Sequence, residues 1–336
     1  MQQAVLQQGG LDQAGAALAM LGLCLGGCLL WFWGGNRALD ALARKRSAVA
    51  RRIRPWLFLA PAGFFLTLYL IYPVLTTVWL SFHGPDGSGF VGLQNLLWLT
   101  RDEDVRRAML NSCLWLLVVP GIATGLGLVL AALTDRIWWG GAARMLIFLP
   151  TAVSTVAAAV IWRFVYSYRP PDAAQIGLLN AIVTWAGGAP QAWIAMPFWN
   201  GFFLMAILIW TQTGFAMMLL LAALRAIPEE TVEAALLDGA SGVQIFWQIQ
   251  APQIGSAILA VWIAIALVVL KLFDIVLAMT NGQWNSNVLA NVMFLWMFRG
   301  GGDFGRGAAV ALLLMGMVVP ILLWSLRAAA RDRKGA

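Results

Sequence analysis

Charge is the scarcest commodity in this chain. Asp, Glu, Lys and Arg make up only 11% of its 336 residues, against 61% hydrophobic ones, whereas a soluble domain carries about 25% charged residues. That balance excludes an ordinary cytosolic enzyme, a disordered chain and a secreted disulfide scaffold. A single histidine, His83, rules out a multi-histidine zinc site. Of the three cysteines, Cys24 and Cys28 lie four apart in one apolar run and Cys113 begins another, which reads as small apolar helix residues before it reads as a metal or redox pair. Lysine is equally rare: Lys45, Lys271 and Lys334, none of them preceded by Gly and followed by Ser or Thr. With no P-loop, any ATP that this protein depends on must be hydrolysed by another chain.

What the sequence does have is apolar length. Stretches nearly free of charge predict membrane spans of about 20 residues each at 14–34, 55–82, 108–134, 145–162, 198–224, 254–280 and 307–327. The expected fold is therefore all-α and polytopic, with seven transmembrane helices. The apolar piece from Gly177 to Ala186, cut off by Gly187-Gly188-Ala189-Pro190, is too short to span and predicts a surface helix. Seven basic residues lie between Arg37 and Arg54. With that segment in the cytoplasm, alternation puts 14 basic residues inside and six outside, which orients the N-terminus out and the C-terminus in. Residues 1–13 carry no Lys or Arg, so the first span lacks the basic n-region of a secretory signal. The net charge of +7 is a membrane-surface feature and not a nucleic-acid signal.

The segment 226–252 carries the clearest pattern. Pro228 suits a helix start, and Glu229 and Glu230 then sit at the positive end of the helix dipole. Gly239 can end that helix in a left-handed cap. Ser241 and Gln244 form a capping-box pattern that starts a second helix, whose apolar face would comprise Val243, Ile245, Phe246 and Ile249, with Pro252 ending it. On pattern alone this is equally an interfacial amphipathic helix lying on lipid.

The residues themselves, EAALLDGASGVQIFWQIQAPQI from Glu233 to Ile254, resemble the EAA motif of importer permeases of the ATP-binding-cassette class. Phe90-Val91-Gly92-Leu93-Gln94-Asn95 with Asp104, Ala108 and Asn111, Gly177-Leu178-Leu179-Asn180, Ala226-Ile227-Pro228 and Phe273-Asp274 are similar to the sugar branch that includes maltose and glycerol-phosphate permeases. Leu270 to Val276, followed by Met279-Thr280-Asn281-Gly282-Gln283-Trp284, looks like the α-glucoside and glucosylglycerol permeases, where Gln283-Trp284 stands in place of the Gly-Gly-Pro common in other sugar permeases. The resemblance covers about 55–330 and divides the chain into 1–54, an extra N-terminal helix with a basic cytoplasmic linker, and 55–330, the six-helix permease core.

The resemblance implies a transport subunit rather than an enzyme. It would be inserted in the prokaryotic inner membrane and work by alternating access. Its implied partners are a second, different permease, two copies of an ATPase subunit that hold ATP and Mg, and an extracytoplasmic sugar-binding protein, since the external loops are too short to capture sugar themselves. ATPase coupling would fall to Glu233, Ala234, Ala235, Asp238, Gly239, Ala240, Phe246 and Pro252, with Glu233 meeting a basic side chain of the ATPase. No cofactor would bind this chain directly.

Charged and polar residues inside spans suggest the substrate route. Lys271 and Asp274, three apart in one expected span, would share a face; they form either a structural ion pair or part of a polar sugar path. Trp210, Gln212 and Thr213 interrupt an apolar sequence, and Trp210 either stacks on a sugar or packs at the lipid interface. Arg101, Asp102, Glu103 and Asp104 are either a solvated loop or a contact for the binding protein. Two other classes stay open at this stage, a polytopic membrane enzyme such as a lipid-linked glycosyltransferase and a secondary transporter, although no internal repeat of the kind common in the latter is visible.

Overall fold

The computed structural model describes residues 2–43, 47–299 and 302–335; Arg44, Lys45 and Arg46 of the basic linker lie outside the described residues. Within them the chain is helical, and its only extended pairing is a lone antiparallel bridge between His83 and Phe90. Contacts divide it into two compact units, Met1–Thr76 and Thr77–Ala336.

The first unit is a helical hairpin. Helix α1 spans Gln2–Ala43 and contains the first expected span; α2 spans Ser47–Leu66 and passes through a π turn at Thr67–Ile71 into α3, Tyr72–Leu80. Phe32 stacks on Phe58 at 5.5 Å, the Trp31 indole donates to the Leu57 carbonyl at 3.0 Å, and Arg54 pairs with Asp40 at 2.5 Å. Gly35 permits this approach, because a Cβ there would stand 2.6 Å from the Leu57 side chain.

The second unit continues with α4 (Gln94–Arg101), α5 (Glu103–Asp135), α6 (Gly140–Phe148), α7 (Thr155–Val165), α8 (Leu178–Trp185), α9 (Asn200–Arg225) and α10 (Glu229–Leu237). Then follow α11 (Gly242–Gln244), α12 (Ala251–Gln253), α13 (Gly255–Leu270), α14 (Asp274–Met279), α15 (Leu289–Phe298) and α16 (Phe304–Gly335). Its core is built on α5 and α9. Trp115, Val119, Ala123 and Ala131 of one pack with Leu204, Leu208, Ala216 and Leu220 of the other, all buried. Where they cross, Gly127 lies so close to Ala216 that an added Cβ would stand 2.5 Å from its Cβ. A smaller cluster joins Val105 and Ala108 of α5 to Leu289 and Val292 of α15 and Val310 of α16.

Among the described residues, four helical stretches are long and apolar enough to cross a membrane: Arg52–Leu80, Glu103–Asp135, Asn200–Arg225 and Phe304–Arg327. Two bent pairs bring the candidates to six if each is one span: Gly140–Ala152 with Thr155–Val165, bent by 105°, and Gly242–Gln253 with Gly255–Leu270, bent by 71°. The predicted surface helix is present as α8.

Two expected spans are not single straight helices. The stretch 145–162 breaks because Pro150 sits in a 3-10 turn after α6, and Ser154 then caps α7 by accepting from the Ala157 amide at 3.2 Å. The stretch 254–280 breaks after Leu270. Lys271 caps the end of α13, and Asp274 opens α14 as a separate helix.

Candidate functional site

The segment 226–252 folds as two short helices around a glycine. Pro228 caps α10 from one position before its first residue, and Glu229 and Glu230 occupy the first turn. Gly239 adopts φ +83°, which only glycine takes without cost. Its amide donates to the Leu236 carbonyl and the Ala240 amide to the Ala235 carbonyl, both at 3.0 Å, the paired bonds of a Schellman cap. The capping box is complete: the Gln244 side chain accepts from the Ser241 amide at 2.8 Å, and the Ser241 hydroxyl accepts from the Gln244 amide at 3.4 Å.

Beyond the box the apolar face departs from the expected pattern. Residues Ile245–Gln250 form a π turn, whose extra residue per turn rotates the face. Ile245, Phe246 and Ala251 are buried, while Val243, expected on the same face, is 69% exposed. Pro252 does not end the helix; it lies in the first turn of α12, and the chain turns instead at Ile254. Glu233, Ala234, Asp238 and Pro252 are exposed and Ala235 is buried, so the loop presents its carboxylates outward and fastens itself by small apolar residues.

The C-terminal end of α5 grips both arms of this loop. Asp135 accepts from Arg225 Nε at 3.0 Å and Nη2 at 2.7 Å just before α10 begins. The neighbouring Arg136 lies against Gly242, where a Cβ would stand 2.9 Å from its Nη1. Between the arms, Asp135, Arg225, Glu229, Glu233 and Gln250 line a cavity of about 550 Å³. Nothing in the sequence pattern singled out Asp135–Arg225; the residues are 90 apart.

Near the other end of α5 the loop 280–287 is held just as firmly. Asn111 donates to the carbonyls of Asn285 and Asn287 at 2.7 and 2.8 Å, Ser112 accepts from the Leu289 amide at 3.0 Å, and Asn200 of α9 donates to the Trp284 carbonyl at 2.6 Å. Asn281, Trp284 and Asn285 all have positive φ, between 53° and 59°. Asparagine tolerates that region, but for a tryptophan it costs about 1–2 kcal/mol. The motif asparagines read in the sequence thus prove to be loop fasteners. Asn95 donates to the Ser81 and His83 carbonyls, and Asn180 bonds to Ser167, Gln191 and Trp193. In the acidic string, Asp102 caps α5 through the Val105 amide, and Glu103 pairs with Arg107 at 2.6 Å.

The polar residues of the expected path divide into occupied and free groups. Because α13 and α14 are separate helices, Lys271 and Asp274 do not share a helical face. Asp274 accepts instead from the Thr155 hydroxyl of α7 at 2.8 Å, and Lys271 stands exposed with no ion pair among the described residues. Thr213 is buried and its hydroxyl bonds back to the Ile209 carbonyl at 2.6 Å. Trp210 meets Trp162 edge to face at 5.9 Å. Thr155 and Trp162 lie seven apart on α7, one helical face, so α7 ties α14 to α9. Gln212, half-buried, keeps its amide free of protein partners among the described residues.

Residues 123–333 match the family described as binding-protein-dependent transport system inner membrane component. The alpha-glucoside transport system permease protein AglF of Rhizobium meliloti (strain 1021) is 59% identical over 318 residues, 92% of this chain and 95% of that protein. The osmoprotective compounds uptake permease protein GgtC of Synechocystis sp. is 45% identical over 271 residues, 81% of this chain and 97% of that protein. In fold, the chain is similar to one from a bacterial alginate ABC transporter crystallised in complex with an alginate pentasaccharide-bound periplasmic protein, at TM-score 0.71 and 19% identity over 87% of this chain and 98% of that one.

Proposed function

This chain belongs to the family of inner membrane components of binding-protein-dependent transport systems, and from that premise we propose that it is the permease subunit of an ATP-driven importer whose cargo is an α-glucoside. The observation that carries the cargo is the 59% identity to an α-glucoside permease over nearly the whole of both chains. As a permease subunit it performs no covalent chemistry; the ATP and Mg sit on partner ATPase chains, two copies of them. A second permease completes the pathway, and an extracytoplasmic binding protein delivers the sugar, as the binding-protein complex of the alginate transporter suggests. We assign seven spans, with the N-terminus outside and the C-terminus inside, by counting α1 and each broken pair as one crossing. Residues 1–54 are an addition to the permease core of 55–330.

The coupling element is α10 to α12. Glu233 and Asp238 face outward to meet basic groups of the ATPase, and a charge-assisted contact of that kind is about twice as strong as a neutral hydrogen bond. Ala234, Ala235, Ala240 and Phe246 keep the element thin and seated. Along the pathway, Gln212 and Lys271 supply the free hydrogen-bonding groups, with Trp210, Thr213 and Asp274 shaping the wall. The test is uptake of radiolabelled trehalose, sucrose, maltose and glucosylglycerol by the reconstituted complex, repeated with Lys271→Ala and Gln212→Ala. At least one α-glucoside is transported, and each substitution lowers uptake about tenfold. Unchanged affinity and rate in both variants would move the path elsewhere; failure of every α-glucoside would retract the cargo.

A further inference from the structure

Trp284 is a bulky residue held where only glycine and asparagine sit comfortably. Its φ is 54°, its carbonyl is fixed by Asn200, and the carbonyl after it by Asn111. Strained residues held by their surroundings mark functional positions. Despite this fixing, the side chain is not packed away: it is 48% exposed. It lines a cavity of about 290 Å³ together with Arg163, Ser167, Tyr168 and Met279. Tyr166 shares that wall, but its hydroxyl is occupied by the Phe203 carbonyl at 2.9 Å, so it contributes only its ring. Asn111, which fastens the loop, and Arg136, which touches the coupling element, stand ~37 Å apart along α5 at 1.5 Å per residue. The cavity therefore belongs to the end of the protein remote from α10–α12.

We propose that this cavity is a saccharide subsite at the outer mouth of the transporter, in which Trp284 is the platform for one pyranose ring. An indole offers a flat apolar face for the C–H side of such a ring. Arg163, Ser167 and Tyr168 offer donors and acceptors for the hydroxyls around it. At 290 Å³ the space is at the small end for ligand pockets, which suits one hexose unit and not a whole oligosaccharide. The fixed backbone makes the platform rigid before the sugar arrives, so little ordering cost remains at binding. The inference rests on the sugar-importer reading and adds to it a receiving site on this chain, ahead of the membrane path.

The left-handed backbone allows an unusually clean test. Trp284→Gly removes the ring while giving the backbone a residue at home at that φ, so assembly survives; Trp284→Phe keeps a ring. Binding of radiolabelled trehalose and maltose is measured on the complete nucleotide-free transporter in nanodiscs, without binding protein, after size-exclusion confirms the assembly. The expected result is at least tenfold weaker binding for Trp284→Gly and less than threefold for Trp284→Phe. Undiminished binding in Trp284→Gly, equal losses in both variants, or no saturable binding by the wild type each overturns the subsite. Uptake by the same wild-type complex, reconstituted in proteoliposomes with its binding protein and ATP, separates the two levels: uptake with a failed binding test removes the subsite alone, and absent uptake of every α-glucoside removes the cargo reading.

Discussion

At Gly239 the backbone is held at φ +83°, with the amides of residues 239 and 240 closing a Schellman cap on α10. A side chain there has open space around it, so its cost is conformational, about 1–2 kcal/mol, and falls on the angle between α10 and the following helix. Gly239→Asp therefore leaves the protein in the membrane and assembled but lowers sugar-stimulated ATP hydrolysis by about tenfold or more, while Gly239→Asn, which shares its tolerance of left-handed backbone without adding a second charge beside Asp238, loses less. Normal stimulation in a stably assembled Gly239→Asp complex would remove the hinge from the mechanism. This residue was legible in the sequence because a glycine between a helix-forming run and a capping box has few other uses. Asn111 and Asn200 were not legible in the same way, since their partners are backbone carbonyls 174 and 84 residues away. The Lys271–Asp274 spacing misled for a local reason: three residues share a face only if the helix is unbroken between them.

Among elements, α5 stands out because it touches both ends. Near its start it fastens loop 280–287, and at its end Asp135 and Arg136 hold the two arms of the segment 226–252. Arg225 places two bonds on one oxygen of Asp135, but the pair is substantially exposed, at 39% and 55%, so its worth to folding is only about 0–1 kcal/mol. Its value lies in fixing where α10 leaves α9. Accordingly, Asp135→Ala or Arg225→Ala shifts the melting temperature by no more than about 2–4 °C but uncouples hydrolysis from sugar, and exchanging the two residues restores part of the coupling. Equal coupling in the single variants and the wild type would reduce the pair to surface decoration. The helices were readable from charge-free runs, and α5 and α9 begin and end within a few residues of their expected spans, whereas α1 and α16 run well past theirs. Their breaks were not, because the bend between α6 and α7 and the π turn at 245–250 arise where Pro150, Ser154 and local packing compete with an apolar sequence that a straight helix would satisfy equally well.

For the molecule as a whole, the missing features are as informative as those present. The chain has no P-loop, an exposed carboxylate-bearing loop at one end, and fastened polar loops at the other. Such a subunit can transmit the work of ATP hydrolysis but cannot perform it. The helical fold class and the two-helix loop at 226–252 followed from composition and one motif of about twenty residues, whereas the cavity beside Trp284 required the tertiary structure, because residues from α7, the 192–195 turn and loop 280–287 meet only there. The measurement that bears most directly on this account is purification of the chain from its native membrane, followed by assay in proteoliposomes. The account predicts that an ATPase chain and a second permease copurify, and that ATP hydrolysis rises when α-glucoside-loaded binding protein is added. A monodisperse protein that transports sugar with no ATPase attached would contradict it.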